Sequence, residues 1–362
     1  MQIINDRRAL HQIPEPELSL PNTMEYLRGS LTGLKCRVFS PMDSSLCAFF
    51  DFGADQAIAF RADCDCLPIP EKTGAAYASR HPGCMHACGH DGHMAILLEL
   101  ARRLNGKTGL HHNVLLVFQP GEESPGGAKP LCETGIFEKY NVRAIFGLHL
   151  WPGLERGKVF SRKGELMARS SEVNVDIYGK SAHIAKAVEG VDALAAMVDF
   201  YSRVTAMEKA LPEEVYRLLK FGRLQSGTVR NALSAHARME GSLRAFQDDV
   251  FEGRRDYVLE TGRKMEEIYG CRVEISMSDG YPAVMNPDTI YNKVRAAVPF
   301  EDLPLPSMTS EDFAWYQRYL DGMFFFLGIG DTPALHADTF DFDDTLLGVG
   351  ADFFEQLAVN YR

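Results

Sequence analysis

Three histidines and a cysteine lie within eight residues of one another, in the run from His86 to His93. Thiolate and imidazole are good ligands for zinc and its first-row neighbours. The glycines of the run, Gly89 and Gly92, would let the backbone bend closely around an ion. Asp91 could orient a ligating imidazole by hydrogen bonding from behind it. The run therefore favours a metal site over a histidine-rich loop ahead of a helix.

Two adjacent carboxylates, Glu122 and Glu123, follow the apolar run Val114 to Phe118, which is typical of a buried strand. Neighbouring side chains at a strand end point in different directions. One carboxylate could therefore bind metal while the other acts as a base. A solvated acidic turn would produce the same pattern if these residues stood alone.

Two single histidines complete the candidate residues. His149 lies in the apolar run Ala144 to Leu150, and His336 follows the run Phe324 to Ile329. A lone histidine at the end of a buried strand is more often a core residue than a ligand. Each is ambiguous by itself, and only their meeting in space would decide.

The elements that must bring these residues together alternate between strands and helices in the first half of the chain. Strand patterns occur at Ala57 to Ala62 and in the two runs before the double glutamate and around His149. Helix patterns occupy Gly92 to Leu104 and Gly127 to Tyr140. This alternation predicts βαβ units and a mostly parallel sheet. Ligand sites in such sheets lie beyond the carboxyl ends of the strands, where the candidate residues are.

The middle of the chain has a different pattern, β-α-β-β-α-β, which is the signature of a ferredoxin-like fold. Its elements are strands at Glu172 to Tyr178, near Gly227 to Arg230, at Ala235 to Ala245 and at Arg272 to Met277, and helices at Ala185 to Lys209 and Asp248 to Tyr269. A chain of 362 residues is also long enough for two domains. We therefore predict an α/β protein in which residues 170–280 are inserted into a larger, discontinuous domain made of residues 1–169 and 281–362.

Composition excludes several function classes. A formal charge of -11 argues against a nucleic-acid partner, which requires a basic surface. No apolar run reaches the roughly 18–20 residues needed to span a membrane, and the start MQIINDRRAL lacks the pattern of a signal peptide. The eight cysteines are then expected to be reduced thiols in a cytoplasmic protein.

Taken together, these segments resemble the M20 metallopeptidase family. Within it they resemble the amidohydrolase branch, which contains hippurate hydrolases, auxin-conjugate hydrolases and N-acetyldiaminopimelate deacetylases. The most specific segment is MHACGHD, from Met85 to Asp91, and the resemblance spans essentially the whole chain. The matching segments are Arg8 to Glu15, Arg61 to Ile69, Met85 to His93, Gln119 to Glu123, Gly147 to His149, Met308 to Phe313, and Leu335 with His336.

The resemblance implies a site for two divalent metal ions and leaves their identity open among Zn, Mn, Co and Ni. The residues at ligand positions are Cys88, His90, Glu123, His149 and His336. Cys88 would be the bridging thiolate. Glu122 occupies the position of the general base, and Asp65 the position of a residue that holds a ligand in place. Asp91 would support the site without binding metal.

The inserted domain resembles the family's lid and dimerisation domain, which implies a homodimer. His183, in Gly179 to His183, matches the histidine that polarises the scissile carbonyl, in its own subunit or in the partner. Asn231 and Arg244 match positions that hold the substrate carboxylate. Arg244 could equally be an ordinary surface arginine.

The resemblance implies hydrolysis of the amide bond of a small N-acyl amino acid. The run Gly126 to Pro130 favours N-acetyldiaminopimelate as the substrate. Gly121 replaces the usual alanine, and Ile184 to Gly190 lacks a common Pro-His pair, so the preference could differ. A broader N-acyl-amino-acid or hippurate-type amidohydrolase is the alternative, and a non-catalytic metal-binding relative is the alternative from another class.

Overall fold

The computed structural model describes residues 2–212 and 215–362, which form two compact units. Unit 1 comprises residues 2–166, 285–306 and 312–362, and unit 2 comprises Met167–Val284 and Ser307–Glu311. Unit 2 extends a few residues beyond the expected insertion at both ends. It also gains the detached segment Ser307–Glu311, because the Ala168 N–H donates to the Thr309 carbonyl (2.8 Å). The division of catalytic and lid roles between the units stays a prediction.

The elements are numbered along the chain. The helices are α1 (Gln2–His11), α2 (Pro21–Ser30), α3 (His90–Leu104), α4 (Ala128–Glu133), α5 (Ile136–Lys139), α6 (Ala193–Ala210), α7 (Asp248–Tyr269), α8 (Asp288–Ala297) and α9 (Leu347–Asn360), with 3₁₀ helices at Ile184–Glu189, Asp312–Arg318 and Asp344–Leu346. The strands are β1 (Arg37–Phe39), β2 (Leu46–Phe50), β3 (Ala57–Asp63), β4 (Asn113–Gln119), β5 (Val142–Pro152), β6 (Val159–Ser161), β7 (Gly164–Met167), β8 (Arg169–Tyr178), β9 (Arg217–Ser226), β10 (His236–Ala245), β11 (Arg272–Met277), β12 (Val284–Asn286), β13 (Glu301–Asp302) and β14 (Asp321–Gly330). None of the helices in the described residues is both long and apolar enough to cross a membrane.

Unit 1 is built on a mixed sheet with the strand order β1-β2-β4-β3-β5-β14-β6-β13. Its four central strands, β4, β3, β5 and β14, are parallel to one another, which confirms the predicted α/β architecture. β3 and β4 are buried along their whole length. Strands covered on both faces need such continuous apolar sequences.

One expected helix of unit 1 is divided. The segment predicted as a single helix from Gly127 to Tyr140 forms α4 and α5. Gly135 separates them with a left-handed backbone (φ 74°), a conformation that glycine adopts without steric cost.

Unit 2 has an antiparallel sheet with the order β11-β8-β10-β9, and its elements follow one another as β8-α6-β9-β10-α7-β11. This is the predicted ferredoxin-like arrangement. Val173, Val175 and Ile177 alternate along β8 and point into the core. Phe200 of α6 and Phe251 of α7 pack in the same core, so the two helices cover one face of the sheet.

Two expected elements of unit 2 begin or end elsewhere. The helix predicted from Ala185 starts only at Ala193, because Asp192 caps it by accepting from the N–H groups of Leu194 and Ala195 (3.0 and 3.1 Å). The strand predicted near residues 227–230 is β9, which ends at Ser226. β9 is an edge strand with only Leu219 buried, so it lacks the alternation that reveals a strand in sequence.

Close packing at the start of α3 generates a stability prediction. A Cβ atom at Gly92 would lie 2.7 Å from Leu150 Cδ1 and 2.9 Å from Phe342 Cζ. We expect Gly92→Ala to lower the free energy of unfolding by about 1–3 kcal/mol, the usual cost of overpacking. Urea unfolding of the purified variant measures this change.

Gly348→Ala is the matched control, because a Cβ at Gly348 in α9 meets nothing within 4 Å. We expect it to leave stability unchanged or to raise it by up to about 1 kcal/mol, since alanine favours a helix over glycine. Equal unfolding curves for Gly92→Ala and Gly348→Ala would contradict the packing argument.

Candidate metal centre

The parallel strands of unit 1 carry the candidate residues to one edge of the sheet. β3 ends at Asp63, β4 ends three residues before Glu122, and His149 lies near the end of β5. His336 follows β14 by six residues. The carboxyl ends of neighbouring parallel strands lie side by side, so residues far apart in sequence meet here.

Cys88, His90 and His149 form a first group of possible ligands. Their ligand atoms all lie within 4.8 Å of one another, and Cys88 Sγ is 3.4 Å from His149 Nε2. All three side chains are buried. Gly89 lies between the cysteine and the histidine with φ 83°, and its backbone bends the chain directly into α3.

A second group consists of Cys88, Glu123 and His336, with ligand atoms again within 4.8 Å of one another. His336 Nε2 is 3.3 Å from Glu123 Oε1. The His336 N–H donates to the Ala87 carbonyl (2.9 Å), which fixes this residue beside the cysteine. Because the two groups share Cys88, its sulfur is placed where a thiolate could contact two ions.

Backbone carbonyls set the orientation of the two buried imidazoles. His90 Nδ1 lies 2.9 Å from the carbonyl of Asp65, and His149 Nδ1 lies 2.7 Å from the carbonyl of Leu150. A carbonyl oxygen only accepts, so each Nδ1 carries a proton. In the neutral imidazole this leaves a lone pair on each Nε2, the atom that faces the cluster.

The His90 Nε2 atom tests whether the site suits a metal ion. It is buried and forms no hydrogen bond among the described residues; the Asp63 Oδ2 atom, at 3.7 Å, is too distant for one. Buried polar atoms normally have a partner. An ion ligated by Nε2 would satisfy this atom, so the residues present fit a divalent metal.

The charges around the cluster also favour a divalent metal ion. Burial opposes protonation of His90, but the nearby carboxylates, Asp63 foremost, outweigh it and raise its pKa to about 10. Burial, reinforced by Glu123 and Glu122, raises the pKa of the Cys88 thiol. The shift of His90, and the part of the Cys88 shift that comes from Glu123 and Glu122, reflect carboxylates gathered in a buried space. Divalent cations would balance their charge, displacing the proton of the thiol.

Asp65 holds the double glutamate in place. Its Oδ1 accepts from the Glu122 N–H (2.9 Å) and its Oδ2 accepts from the Glu123 N–H (3.0 Å). Its own carbonyl accepts from His90. One buried residue therefore connects the loop after β4 to the start of α3, and its supporting role at a metal site stays a prediction.

Asp91 does not contact a candidate ligand in the described structure. Its Oδ2 accepts from Arg7 Nε and lies at the same distance, 2.8 Å, from His11 Nδ1. The expectation that Asp91 orients a ligating imidazole is corrected accordingly: it anchors α1 to the first turn of α3. The first turn of the helix points this side chain towards α1 while His90 faces the cluster.

His93 forms a further group with Asp63 and His90, but both of its nitrogens are already engaged. Its Nε2 accepts from the Leu150 N–H (2.9 Å), and its Nδ1 lies 2.6 Å from Asp63 Oδ1. The imidazole therefore links β3 to β5 beside His149. Asp63 was missed from sequence, although a charged residue ending a buried strand was a signal for it.

Asp312 was also missed. Its carboxylate accepts from Arg61 Nη2 (2.8 Å), from Gln119 Nε2 (2.7 Å to Oδ2), and from the N–H groups of Gly127 and Ala128 (3.0 and 2.9 Å). Its own N–H lies 3.4 Å from Glu122 Oε1. Asp312 thus supports both ends of the double-glutamate loop. Its place in the segment Met308 to Phe313 gave no indication of this role.

The remaining candidate residues, His183, Asn231 and Arg244, belong to unit 2. His183 is exposed and its Nδ1 accepts from the Ala185 N–H (3.1 Å). The Asn231 carbonyl accepts from the Ile184 N–H (3.1 Å), so these two loops are joined.

Arg244 is half-buried and lies apart from those loops in β10. It donates to the Met308 carbonyl (2.6 Å) and to Ser242 Oγ (3.3 Å). No carboxylate in the described residues pairs with it, and burial lowers its pKa. A half-buried guanidinium without an acidic partner is suited to bind an anion.

Comparison with known proteins gives a family match over residues 59–360, to peptidase family M20/M25/M40. An uncharacterized hydrolase from Staphylococcus haemolyticus is 30% identical over 99% of this chain and 98% of its own. A second relative, from Staphylococcus epidermidis, is 30% identical over 98% of this chain and 97% of its own. The crystal structure of Bacillus subtilis YXEP, a dinuclear metal-binding peptidase of the M20 family, has 30% identity and a TM-score of 0.85, covering 99% of this chain and 97% of that one.

Removing the shared sulfur tests the two ligand groups. We expect Cys88→Ser to weaken metal binding by at least about 10–100-fold, because removing even a residue that only hydrogen-bonds to a metal ligand has an effect of that size. Elemental analysis after dialysis at a fixed free metal concentration should find fewer ions per chain than in the wild type. Cys36→Ser, at a half-buried thiol outside both groups, should keep the full complement. Unchanged occupancy in Cys88→Ser would remove this residue from the ligand set.

Proposed function

The chain belongs to peptidase family M20/M25/M40, a hydrolase family, and on that premise we propose that it cleaves the amide bond of a small N-acyl amino acid. The products would be a carboxylic acid and the free amino acid. The observation that carries the proposal is the meeting of two ligand groups at Cys88, with Glu122 grouped beside two of their members, His90 and Glu123.

We assign Cys88, His90, Glu123, His149 and His336 as the residues that hold two divalent metal ions. Such a pair, when bound, would lower the pKa of a water molecule towards neutrality and polarise the carbonyl of the substrate. The mixed thiolate, imidazole and carboxylate set suits Zn, Mn, Co or Ni alike. Asp65 would keep both glutamates and His90 in position.

Glu122 is the proposed general base. It lies with His90 and Glu123 in one group whose oxygen and nitrogen atoms are within 4.8 Å of one another. From there its carboxylate can take the proton of the attacking water and deliver it to the leaving amine. Positioned groups of this kind contribute about 10²–10⁴-fold to the rate.

His183 is the proposed donor to the carbonyl oxygen, and its hydrogen bond supports that role. Its Nδ1 accepts from the Ala185 N–H, so the proton of the neutral imidazole is on Nε2. Nε2–H is then available to stabilise the oxyanion that forms during attack. Removing one such donor costs about 10²–10³-fold in turnover in other hydrolases.

We further propose a homodimer formed through unit 2. Leu194, Val198 and Tyr201 lie at successive turns of α6, and all three are exposed. β9 is an open edge of the sheet. An exposed apolar helix face beside an unpaired strand edge is a surface suited to a second copy. His183 could then act in its own subunit or in the partner.

The substrate is proposed from the residues that resemble one branch of the family. The run Gly126 to Pro130 favours N-acetyldiaminopimelate. Arg244, which has no acidic partner in the described residues, would bind the carboxylate of the amino acid. Asn231, which precedes the other end of β10, would join it only from the partner subunit of the proposed dimer. The alternative is a broad N-acyl-amino-acid or hippurate-type amidohydrolase, in line with the changed segment Ile184 to Gly190.

The eight cysteines are all free thiols, and on this ground we propose a reducing, cytoplasmic location. Cell fractionation with detection of the native protein checks this assignment. Recovery from an exported fraction would refute it.

Complementation between inactive variants tests the base, the donor and the dimer together. We expect Glu122→Gln to keep its metal ions but lose at least about 10²-fold in kcat, and His183→Ala to lose about 10²–10³-fold with unchanged metal content. If His183 acts across a dimer interface, mixing the two variants forms hybrid dimers with one intact site. Steady-state assays after subunit exchange should then recover part of the activity.

Glu133→Gln is the control, since Glu133 is exposed and outside the ligand groups; it should retain wild-type rates. Full activity in Glu122→Gln would exclude Glu122 as the base. Mixed variants that exchange subunits, as seen by tagged co-purification, yet stay inactive would place His183 in its own subunit.

A panel of N-acetyl, N-benzoyl and N-succinyl amino acids, assayed on metal-quantified protein, tests the substrate. We expect N-acetyldiaminopimelate to exceed the others in kcat/KM by at least about tenfold, the discrimination that one added contact provides. Arg244→Gln should raise KM for this substrate more than for its α-amide, whereas Arg223→Gln, at an exposed position of β9, should not. Equal rates across the panel would favour the broad amidohydrolase, and a metal-loaded but inert protein would favour a binding role.

A further inference from the structure

Arg7 is a fully buried arginine that binds three separate carboxylates. Its Nε donates to Asp91, its Nη2 to Asp341 and its Nη1 to Asp344, each over 2.8 Å. The side chain of Arg7 has no exposed surface. A planar guanidinium can serve three directions at once, which a lysine ammonium on a flexible stem cannot do with the same geometry.

The aromatic side chains around Arg7 fix the plane of its guanidinium. The guanidinium carbon lies 4.4 Å from the centre of the Phe342 ring and 4.9 Å from that of Tyr77. The Tyr77 hydroxyl donates to Asp341 Oδ2 (2.8 Å). Arg7 is therefore held by aromatic contacts as well as by ion pairs, and its direction is set before any ligand arrives.

The three carboxylates belong to two different parts of the metal centre. Asp91 follows His90 in the first turn of α3. Asp341 lies near the end of residues 331–343, which we call the His336 loop, and Asp344 begins the 3₁₀ helix directly after that loop. One side chain thus joins the start of α3 to the C-terminal end of the loop that carries His336.

The His336 loop is also anchored by Phe340, which is buried in the core, and by the Asp338 carbonyl, which accepts from the Lys72 N–H (2.7 Å); the contacts with Arg7 add to these at its C-terminal end. It contains no helix or strand, and the side chain of His336 is 52% exposed. His336 itself has φ 66°, a left-handed conformation that is unusual for a residue other than glycine. Its N–H donates to the Ala87 carbonyl, so correct placement of His336 requires the loop end and the cysteine run to be in register.

The first ligand group has anchors besides Arg7, since Asp91, next to His90, also pairs with His11. His90 and His149 are fixed by backbone carbonyls, and Cys88 lies between them in buried surroundings. Loss of Arg7 contacts should therefore affect the group of Cys88, Glu123 and His336 first.

We propose that Arg7 is a positioning residue for the metal centre, which keeps the His336 loop in register with the start of α3 so that Cys88 and His336 reach the same ion. This inference rests on the ligand assignment of the proposed function. It concerns the second of the two ions, while the ligands of the first are also held by contacts that Arg7 does not make.

Three variants test it. Arg7→Lys keeps the positive charge but loses the planar guanidinium that donates to three carboxylates at once. Asp341→Asn acts from the loop side at a carboxylate that is 33% exposed, so the fold should tolerate it. Arg8→Lys is the matched control, because Arg8 is the next residue and also binds Asp344 (2.8 Å), but is 49% exposed and contacts neither Asp91 nor Asp341.

The measurement is a titration of each variant with Zn²⁺ and with Co²⁺, in which elemental analysis gives the number of ions bound per chain. Wild type and Arg8→Lys should bind two ions per chain. Arg7→Lys and Asp341→Asn should bind one ion as tightly as the wild type and the second about 10–100-fold more weakly. The thiolate-to-cobalt absorption of the first ion should remain in both variants, and excess metal should restore their activity.

Wild-type affinity for both ions in Arg7→Lys and Asp341→Asn would overturn the proposal, even if both variants melted at lower temperature. Should Arg7→Lys fail to fold, Asp341→Asn decides alone. A wild-type protein that binds fewer than two ions would instead overturn the ligand assignment, and the role of Arg7 with it.

Discussion

Buried carboxylates beneath the metal centre must each be paired, because an isolated charge in a protein interior is costly. Unit 1 meets this constraint with donors for each of them, and Arg61 serves two. Asp63 is paired with Arg61 and His93, and Asp65 accepts from the N–H groups of Glu122 and Glu123. Asp91 is paired with Arg7 and His11. Asp312 accepts from Arg61, from Gln119 and from two further N–H groups. Apart from Arg61 with Asp63, which are two residues apart in β3, these pairings join segments that are distant in sequence, so charge compensation also fixes the geometry of the site.

The same contacts determine what the cluster can bind. Carbonyl acceptors hold the protons of His90 and His149 on Nδ1 and leave both Nε2 atoms to face the sulfur of Cys88. Burial lowers the pKa of His90, but the neighbouring carboxylates, Asp63 foremost, outweigh it and raise that pKa. A site with oriented lone pairs and surplus negative charge is suited to cations, which is the chemistry of a dinuclear metal hydrolase.

Unit 2 is organised differently. Its core consists of apolar residues of β8, β10, α6 and α7, while His183 and Asn231 lie in exposed loops and Arg244 is only half-buried. Residues with proposed roles in binding substrate are thus supported by a stable sandwich without being part of its packing. Changes in these exposed loops, such as the departure at Ile184 to Gly190, cost the fold little.

The sequence by itself determined the order of strands and helices around the site, the ferredoxin-like unit and the residues that meet at Cys88. Local periodicity and specific motifs carry that information. Prediction from sequence failed where local signals are weak, as at the exposed edge strand β9 and at the start of α6.

Only the tertiary structure decided which groups surround the ligands: Asp91 faces Arg7, and Asp63 and Asp312 support the site. Arg7 and Asp344 are 337 residues apart, and no local pattern reports a contact of that kind, since it exists only once the sheet has brought the chain ends together.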